Sequence, residues 1–258
     1  MKKSLLLIII LTLSSCASIF LNTALEKVGV FDDKAEIKII SNKKKNLAFI
    51  GMHHIGRPEF YNDVAKKTDS LQQLGYVVFY EATKKDLLND SLSNDIYERK
   101  ARKITGISNF KYYDTVNNII GGRLKYKGDY KLINQPSYLE MKVNMKTAKN
   151  ADVIFNSLID NFEQKYGVVE LSDCDKNTTV DSKEYNCDKI DKELADRFSE
   201  EFIVDFRNKN LAKEISDSEE KNILVIYGKN HLVGLMLELQ KNDVNWKETV
   251  PTLNSSMP

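Results

Sequence analysis

The stretch Asn222-Ile-Leu-Val-Ile-Tyr227-Gly228-Lys229-Asn230-His231-Leu-Val-Gly-Leu235 decides the fold. Its first half is short, apolar and rich in β-branched residues, the pattern of a strand buried on both faces in the middle of a parallel sheet. Gly228 ends that strand, and Leu232, Leu235, Met236 and Leu239 then recur at helical spacing. A strand that feeds a helix through a glycine turn is the repeating step of an α/β protein.

The neighbouring segments repeat the step. Glu36 to Ile40 and Asn46 to Gly51 read as strands paired around a Ser41-Asn42-Lys43 turn. Pro58 is suited to open a helix, which Phe60, Val64, Leu71 and Leu74 continue until Gly75, and Tyr76 to Tyr80 follows as a strand. This strand–helix–strand unit favours parallel pairing. Lys131 to Asn134 reads as a further short strand, Ala148 to Tyr166 as a helix, and Leu194 to Ile215 as a long amphipathic helix carrying Phe198, Phe202, Phe206 and Leu211. Trp246 to Val250 reads as a last strand at the sheet edge. Residues 84–126 are polar and helical in pieces, and residues 168–190 are an acidic surface excursion placed to act as a lid. The expected fold is α/β: a central mixed, mostly parallel sheet flanked by helices, in a single domain over residues 35–258.

The N-terminus predicts an address. Lys2 and Lys3 precede an apolar run from Leu5 to Leu11, too short to span a membrane as a mature helix. Leu13-Ser14-Ser15-Cys16 then matches a lipobox, so residues 1–15 read as a lipoprotein signal peptide and Cys16 as the lipidated residue. Acyl chains on that thiol would anchor the protein to the cell envelope, and Ala17 after the cysteine points to the outer membrane facing the periplasm. Residues 16–34 form the lipid-anchored tether, packed loosely on the domain. Cleavage takes Lys2 and Lys3 out of the 38 basic residues, leaving 36 against 37 acidic ones. With charge so balanced and no basic stripe, nucleic acid is not an expected partner. Cys174 and Cys187 remain in a compartment where disulfides persist, and a bridge between them is the natural reading.

The chain has three histidines, and each stands just after an expected strand: His53, His54 and His231. Glu81 follows the strand Tyr76 to Tyr80 in the same way. In an open α/β sheet the ligand crevice lies beyond the carboxyl ends of the strands, so these groups are placed to share one pocket. Gly51-Met-His-His54 and Gly228-Lys-Asn-His231 have the same form, a glycine with a histidine three residues on. The glycine is expected to turn the chain sharply, and a histidine at a following helix N-terminus is kept neutral by the helix dipole. A neutral imidazole serves either a metal or a proton. Two histidines and Glu81 make a ligand set for a divalent ion; a hydrogen-bonded scaffold role for each histidine is the plain alternative. His53, one residue out of frame with His54, is expected to face the other way and support the site indirectly. Gln135 reads as a loop residue able to add a polar contact.

This ordered set resembles the TraB/PrgY/GumN family, to which the Tiki metalloproteases are related. The matching residues are Gly51 to His54, Glu81 in Val-Val-Phe-Tyr-Glu-Ala, Arg207 in Asp-Phe-Arg-Asn-Lys-Asn, and Gly228 to His231. The likeness covers Asn46 to Val250, with the middle matching only in outline. It implies an α/β fold and metal-dependent hydrolysis of a peptide or a small-molecule substrate, supported by an ion such as manganese, cobalt or zinc. By that resemblance His54, His231 and Glu81 are metal ligands, with the histidines as general bases in a metal-free variant. Glu81 and Arg207 are the catalytic residues, Arg207 holding a substrate carboxylate or the developing oxyanion; its plain alternative is a surface ion pair with Asp205 or Glu214. Lys229 and Asn230 stand where the family carries small residues. Two further readings stay open: a lipoprotein that binds a peptide or ligand without turnover, and a metal-free hydrolase resembling erythromycin esterases, in which histidine and glutamate activate water directly.

Overall fold

A computed structural model describes residues 20–84, 91–106, 112–122, 124–182 and 185–249. Residues 1–15, expected as a signal peptide, and Cys16 lie outside the described residues. Residues 20–28 are helical (α1). The chain then forms β1 (Ile37–Ser41), β2 (Asn46–Met52), β3 (Ile55–Gly56), α2 (Pro58–Gln73), β4 (Val77–Tyr80) and α3 (Ser91–Thr105). Short strands follow: β5 (Tyr113–Asp114), β6 (Ile119–Ile120), β7 (Leu124–Lys125), β8 (Ile133–Asn134) and β9 (Lys149–Asn150). The last third holds α4 (Phe155–Tyr166), α5 (Asp173–Asn177), α6 (Lys192–Arg197), a π-helix (Phe198–Phe206), α7 (Arg207–Asp217), β10 (Asn222–Gly228), α8 (His231–Asn242) and β11 (Lys247–Thr249).

The central sheet has the order β11-β1-β2-β10-β4-β9. β2, β10, β4 and β9 run parallel, and β1 and β11 add an antiparallel margin. β10 lies at its centre, and Ile223 to Tyr227 have no exposed surface. Alternate residues of these strands face two helical layers. Leu47, Phe49, Ile223, Val225 and Tyr227 pack on α7 and α8, whereas Ala48, Ile50, Leu224 and Ile226 pack on α2. Each fully buried aliphatic side chain contributes about 1.5–3 kcal/mol, so this two-sided strand anchors the domain. A mixed α/β domain with a mostly parallel sheet between helices is what the strand and helix patterns lead one to expect.

Several segments differ from expectation for physical reasons. The helix expected from Ala148 begins only at Phe155, because Lys149–Asn150 pairs with β4 as an edge strand. The long helix from Leu194 is α-helical only at its ends. Its middle widens into a π-helix, a form that often marks functional sites. There Phe198 and Phe202 pack edge-on against Phe162 at 5.3 and 5.7 Å between ring centres. Within the 84–126 stretch α3 is helical as expected, but β5, β6 and β7 form a three-stranded antiparallel sheet. The tether is docked, not loose: Leu25 and Val30 are buried against Ile55, Tyr113, Tyr126 and Leu132.

The described residues of the 168–190 excursion are pinned to α3. Cys174 and Cys187 are disulfide-bonded across it. Buried Arg102 donates to the carbonyls of Asp175, Thr178 and Thr179, and Lys103 pairs with Asp175 at 2.6 Å. Burial opposes the Asp175 charge, but hydrogen bonds from Lys103, Tyr185 and Ser172 prevail and hold its carboxyl well below the usual range.

Candidate functional site

Parallel pairing brings the carboxyl ends of β2, β10, β4 and β9 to one edge, with Met52 beside Gly228 and Tyr80 beside Asn150. His53 and His54, Gly228 to His231, Glu81 and Asp152 therefore leave the sheet at the same end. Arg207, first residue of α7, reaches them from the helix layer.

Glu81 is the hub. Its Oε1 accepts from Arg207 Nη2 at 2.6 Å, and its Oε2 accepts from the Gly228 backbone N–H. Gly228 has an ordinary negative-φ backbone, so its glycine answers a need for space: a Cβ there would lie 3.2 Å from Glu81 Oε2 and 3.3 Å from His231 Cδ2. Gly51 serves the same purpose, since a Cβ would meet the Lys229 backbone at 3.2 Å. The sharp turn expected from the two Gly-x-x-His motifs is thus replaced by close approach of neighbouring strand ends.

Arg207 is buried between two carboxylates. Asp152 accepts from its Nε at 2.9 Å and from its Nη2 at 2.6 Å, and the Asp152 side chain has no exposed surface. Nη1 turns back to the Ile203 carbonyl in the π-helix at 3.4 Å. Burial works against the guanidinium charge, but the Asp152 hydrogen bonds and the charges of Glu81 and Asp152 outweigh it and raise its pKa. Neither Asp205 nor Glu214 pairs with it; Glu214 is held by Lys149 at 2.6 Å.

His231 opens α8, as expected, and its Nε2 lies 3.9 Å from Glu81 Oε1. Its Nδ1 faces Asn208 Oδ1 at 2.8 Å, and the Tyr227 ring meets it edge-on. His54 precedes β3, not a helix, so the helix-dipole argument applies to His231 alone. The His54 ring stacks on Tyr112 at 4.1 Å and is hydrogen-bonded by the Gln135 side chain, which also reaches Tyr138. The Gln135 backbone N–H donates to the His54 carbonyl at 2.9 Å, so this loop residue is built into the site. Burial lowers the pKa of both imidazoles; Glu81 opposes the shift and Arg207 adds to it. His54 and His231 also feel each other's charge, which places them in one electrostatic unit.

His53 faces elsewhere. It packs on Phe60 at 5.4 Å and lies near Lys229 and Asp32, where burial first and Lys229 second lower its pKa. Lys229 therefore puts its charge beside His53 and the tether, where a Cβ at Gly29 would lie 3.2 Å from both His53 Nε2 and Lys229 Nζ.

Two neutral imidazoles and a carboxylate are suitable donors for a divalent ion, but among the described residues no three His, Cys, Asp or Glu side chains converge in the spacing a metal needs. Glu81 has both oxygens committed, one of them to a cation. A cavity of about 550 Å³ lies beside the β5–β7 sheet, lined by Tyr113, Tyr126, Tyr130, Lys127 and Lys131 among others. Its lining includes none of His53, His54, Glu81, Arg207 or His231.

Asp152 and Asn208 are the residues that the sequence did not give up. Asp152 lies two residues past an edge strand of only two residues, and its signal was position alone, an acid just past Lys149-Asn150-Ala151. Asn208 directly follows Arg207, where an asparagine on a helix carries no sign of its partner. Among the described residues no helix is long and apolar enough to cross a membrane. Set against protein-family models, characterised proteins and solved structures, the chain matches none of them.

Proposed function

We propose that the chain is an envelope-anchored hydrolase of the TraB/PrgY/GumN type, in which the strand-end pocket activates water toward a peptide or related carbonyl bond. The observation that carries this is the approach of His231 Nε2 to Glu81 Oε1 at 3.9 Å beside buried Arg207, with the more exposed His54 ring feeling the charges of both Glu81 and Arg207. One water at ordinary hydrogen-bond lengths of about 2.8 Å can touch both atoms. The imidazole is the proton acceptor, since Glu81 is committed to Arg207 and to the Gly228 N–H. Water oxygen attacks the carbonyl carbon as its proton passes to His231. Glu81 orients that water and stabilises the imidazolium. The proton then passes to the leaving group as the tetrahedral intermediate collapses. Arg207, held by Asp152 and Glu81, fixes the carboxylate rather than reaching substrate.

A metal-dependent reading has one observation in its favour. The 3.9 Å gap is within the sum of a metal–nitrogen bond of about 2.0–2.1 Å and a metal–oxygen bond of about 2.0–2.2 Å. His54, His231 and Glu81 would hold manganese, cobalt or zinc there, and the ion would supply a water acidified by its charge. Glu81 would then have to share Oε1 with Arg207. Lipidation at Cys16 would set the enzyme on the outer membrane, facing the periplasm.

The test is Glu81→Gln. A pool of peptides and lactones is offered to both forms, and binding and turnover are measured separately. The variant should bind as the parent does and lose turnover; equal turnover in both forms would refute the proposal, and binding without turnover in the parent would mark a binding lipoprotein.

A further inference from the structure

We infer that Asn208, admitted to its position by Gly234, is a positioning residue that fixes the His231 tautomer and leaves Nε2 as the lone-pair atom facing Glu81. The inference rests on the hydrolase reading for its use, but not for its test. An amide oxygen accepts only, so with Asn208 Oδ1 at 2.8 Å the proton of the neutral ring must sit on Nδ1. Nε2 is then the unprotonated nitrogen, and Nε2 is the atom 3.9 Å from Glu81 Oε1. A ring with its proton on Nε2 would turn a donor toward Glu81 and could accept nothing from water. The second ring nitrogen of a working histidine is commonly held in this way by a neighbouring acceptor.

Two further observations show that the contact is built rather than incidental. Asn208 is almost wholly buried, at 1% exposure. Its Nδ2, buried with no partner of its own, lies against Gly234. A Cβ at Gly234 would stand 2.0 Å from that Nδ2, so any other residue at 234 expels the amide from its place. Gly234 lies three residues beyond His231 in α8, and Asn208 follows Arg207 in α7. Adjacent residues of α7 thereby set the two partners of the proposed chemistry, Arg207 holding Glu81 and Asn208 holding His231.

The experiment is nitrogen NMR of the full chain labelled at its histidine rings, metal-free and near neutral pH. His53→Gln and His54→Gln variants assign the remaining ring. The expected result is a protonated Nδ1 and a pyridine-type Nε2 for His231. That Nδ1–H signal should be lost in Asn208→Leu and in Gly234→Ala, but retained in Asn208→Asp, which keeps the acceptor. Val233→Ala, on the exposed side of α8, should leave it unchanged. A parent ring protonated on Nε2, or a signal indifferent to Asn208→Leu in a chain whose near-ultraviolet circular dichroism is native, would overturn the inference. Because the readout is the tautomer, the expected spectrum together with an absence of hydrolysis would sink the proposed function and leave this inference standing.

Discussion

Removing Asp152 isolates the strongest electrostatic dependence in the structure. In Asp152→Ala, Arg207 loses its partners at Nε and Nη2 and keeps Glu81, while the Val153 N–H loses an acceptor at 2.8 Å. Breaking a buried ion pair from one side costs about 3–5 kcal/mol, because a charge is left buried without compensation. The surviving Glu81 contact puts this case at the lower end, about 3 kcal/mol. For a domain of this size, whose urea dependence is about 3 kcal/mol/M, the midpoint of unfolding should fall by about 1 M. Removing the cation as well, in Asp152→Ala with Arg207→Leu, should cost less than the two single changes summed, with a coupling energy of about 2 kcal/mol. A shift under about 0.3 M for Asp152→Ala, or strictly additive costs, would refute the claim that Asp152 and Glu81 share one buried cation.

Other expectations follow from the same structure. Burial lowers the pKa of His54 and His231 from the ordinary 6.5, so the unfolded chain takes up protons first. Their contribution to stability is complete above that value and is lost as pH falls through 6.5 toward the folded values; thermal unfolding between about pH 7 and pH 5 should show it, and His54→Gln with His231→Gln should flatten the slope. Replacing Cys174 and Cys187 by serine opens a loop of sequence separation 13 and should cost about 3 kcal/mol, read as a loss of roughly 6–12 °C in melting temperature. Phe162→Ala removes the ring on which Phe198 and Phe202 pack and should cost about 3–5 kcal/mol by chemical denaturation. Cys16→Ser should abolish palmitate labelling and release the protein from the membrane fraction; labelling of that variant would contradict the lipid anchor.

The fold was legible where local pattern and tertiary demand agree. Asn222 to Tyr227 can satisfy its hydrophobicity only between two layers, and Pro58 and Gly75 bracket α2 through backbone constraints that hold in any context. The sequence placed His54, Glu81 and His231 near one sheet end because the argument needed only strand ends, and Arg207 entered through the family resemblance. It missed what depends on contacts distant in the chain. Two-residue strands such as β5, β6, β7 and β9 carry no period to read, whereas β8 falls inside the expected Lys131–Asn134 strand. A π-helix departs from the 3.6-residue repeat used to recognise the segment that contains it. The tether was read as loose because its one short helical pattern names no partner, yet Leu25 and Val30 meet a surface made largely by residues about a hundred positions away. The substrate role of Arg207 came from the family resemblance, and its two acidic partners, Glu81 and Asp152, are far from it in sequence.

The central claim is that the side chains of this pocket activate water themselves. Its most direct test is hydrolysis of a quenched fluorescent peptide library by the purified chain after exhaustive chelation, beside His231→Gln and Glu81→Gln. The account predicts turnover that survives chelation and is lost in both variants with the fold intact. Turnover that persists in either variant would contradict it, as would turnover that vanishes on chelation and returns with manganese, cobalt or zinc at about one ion per chain.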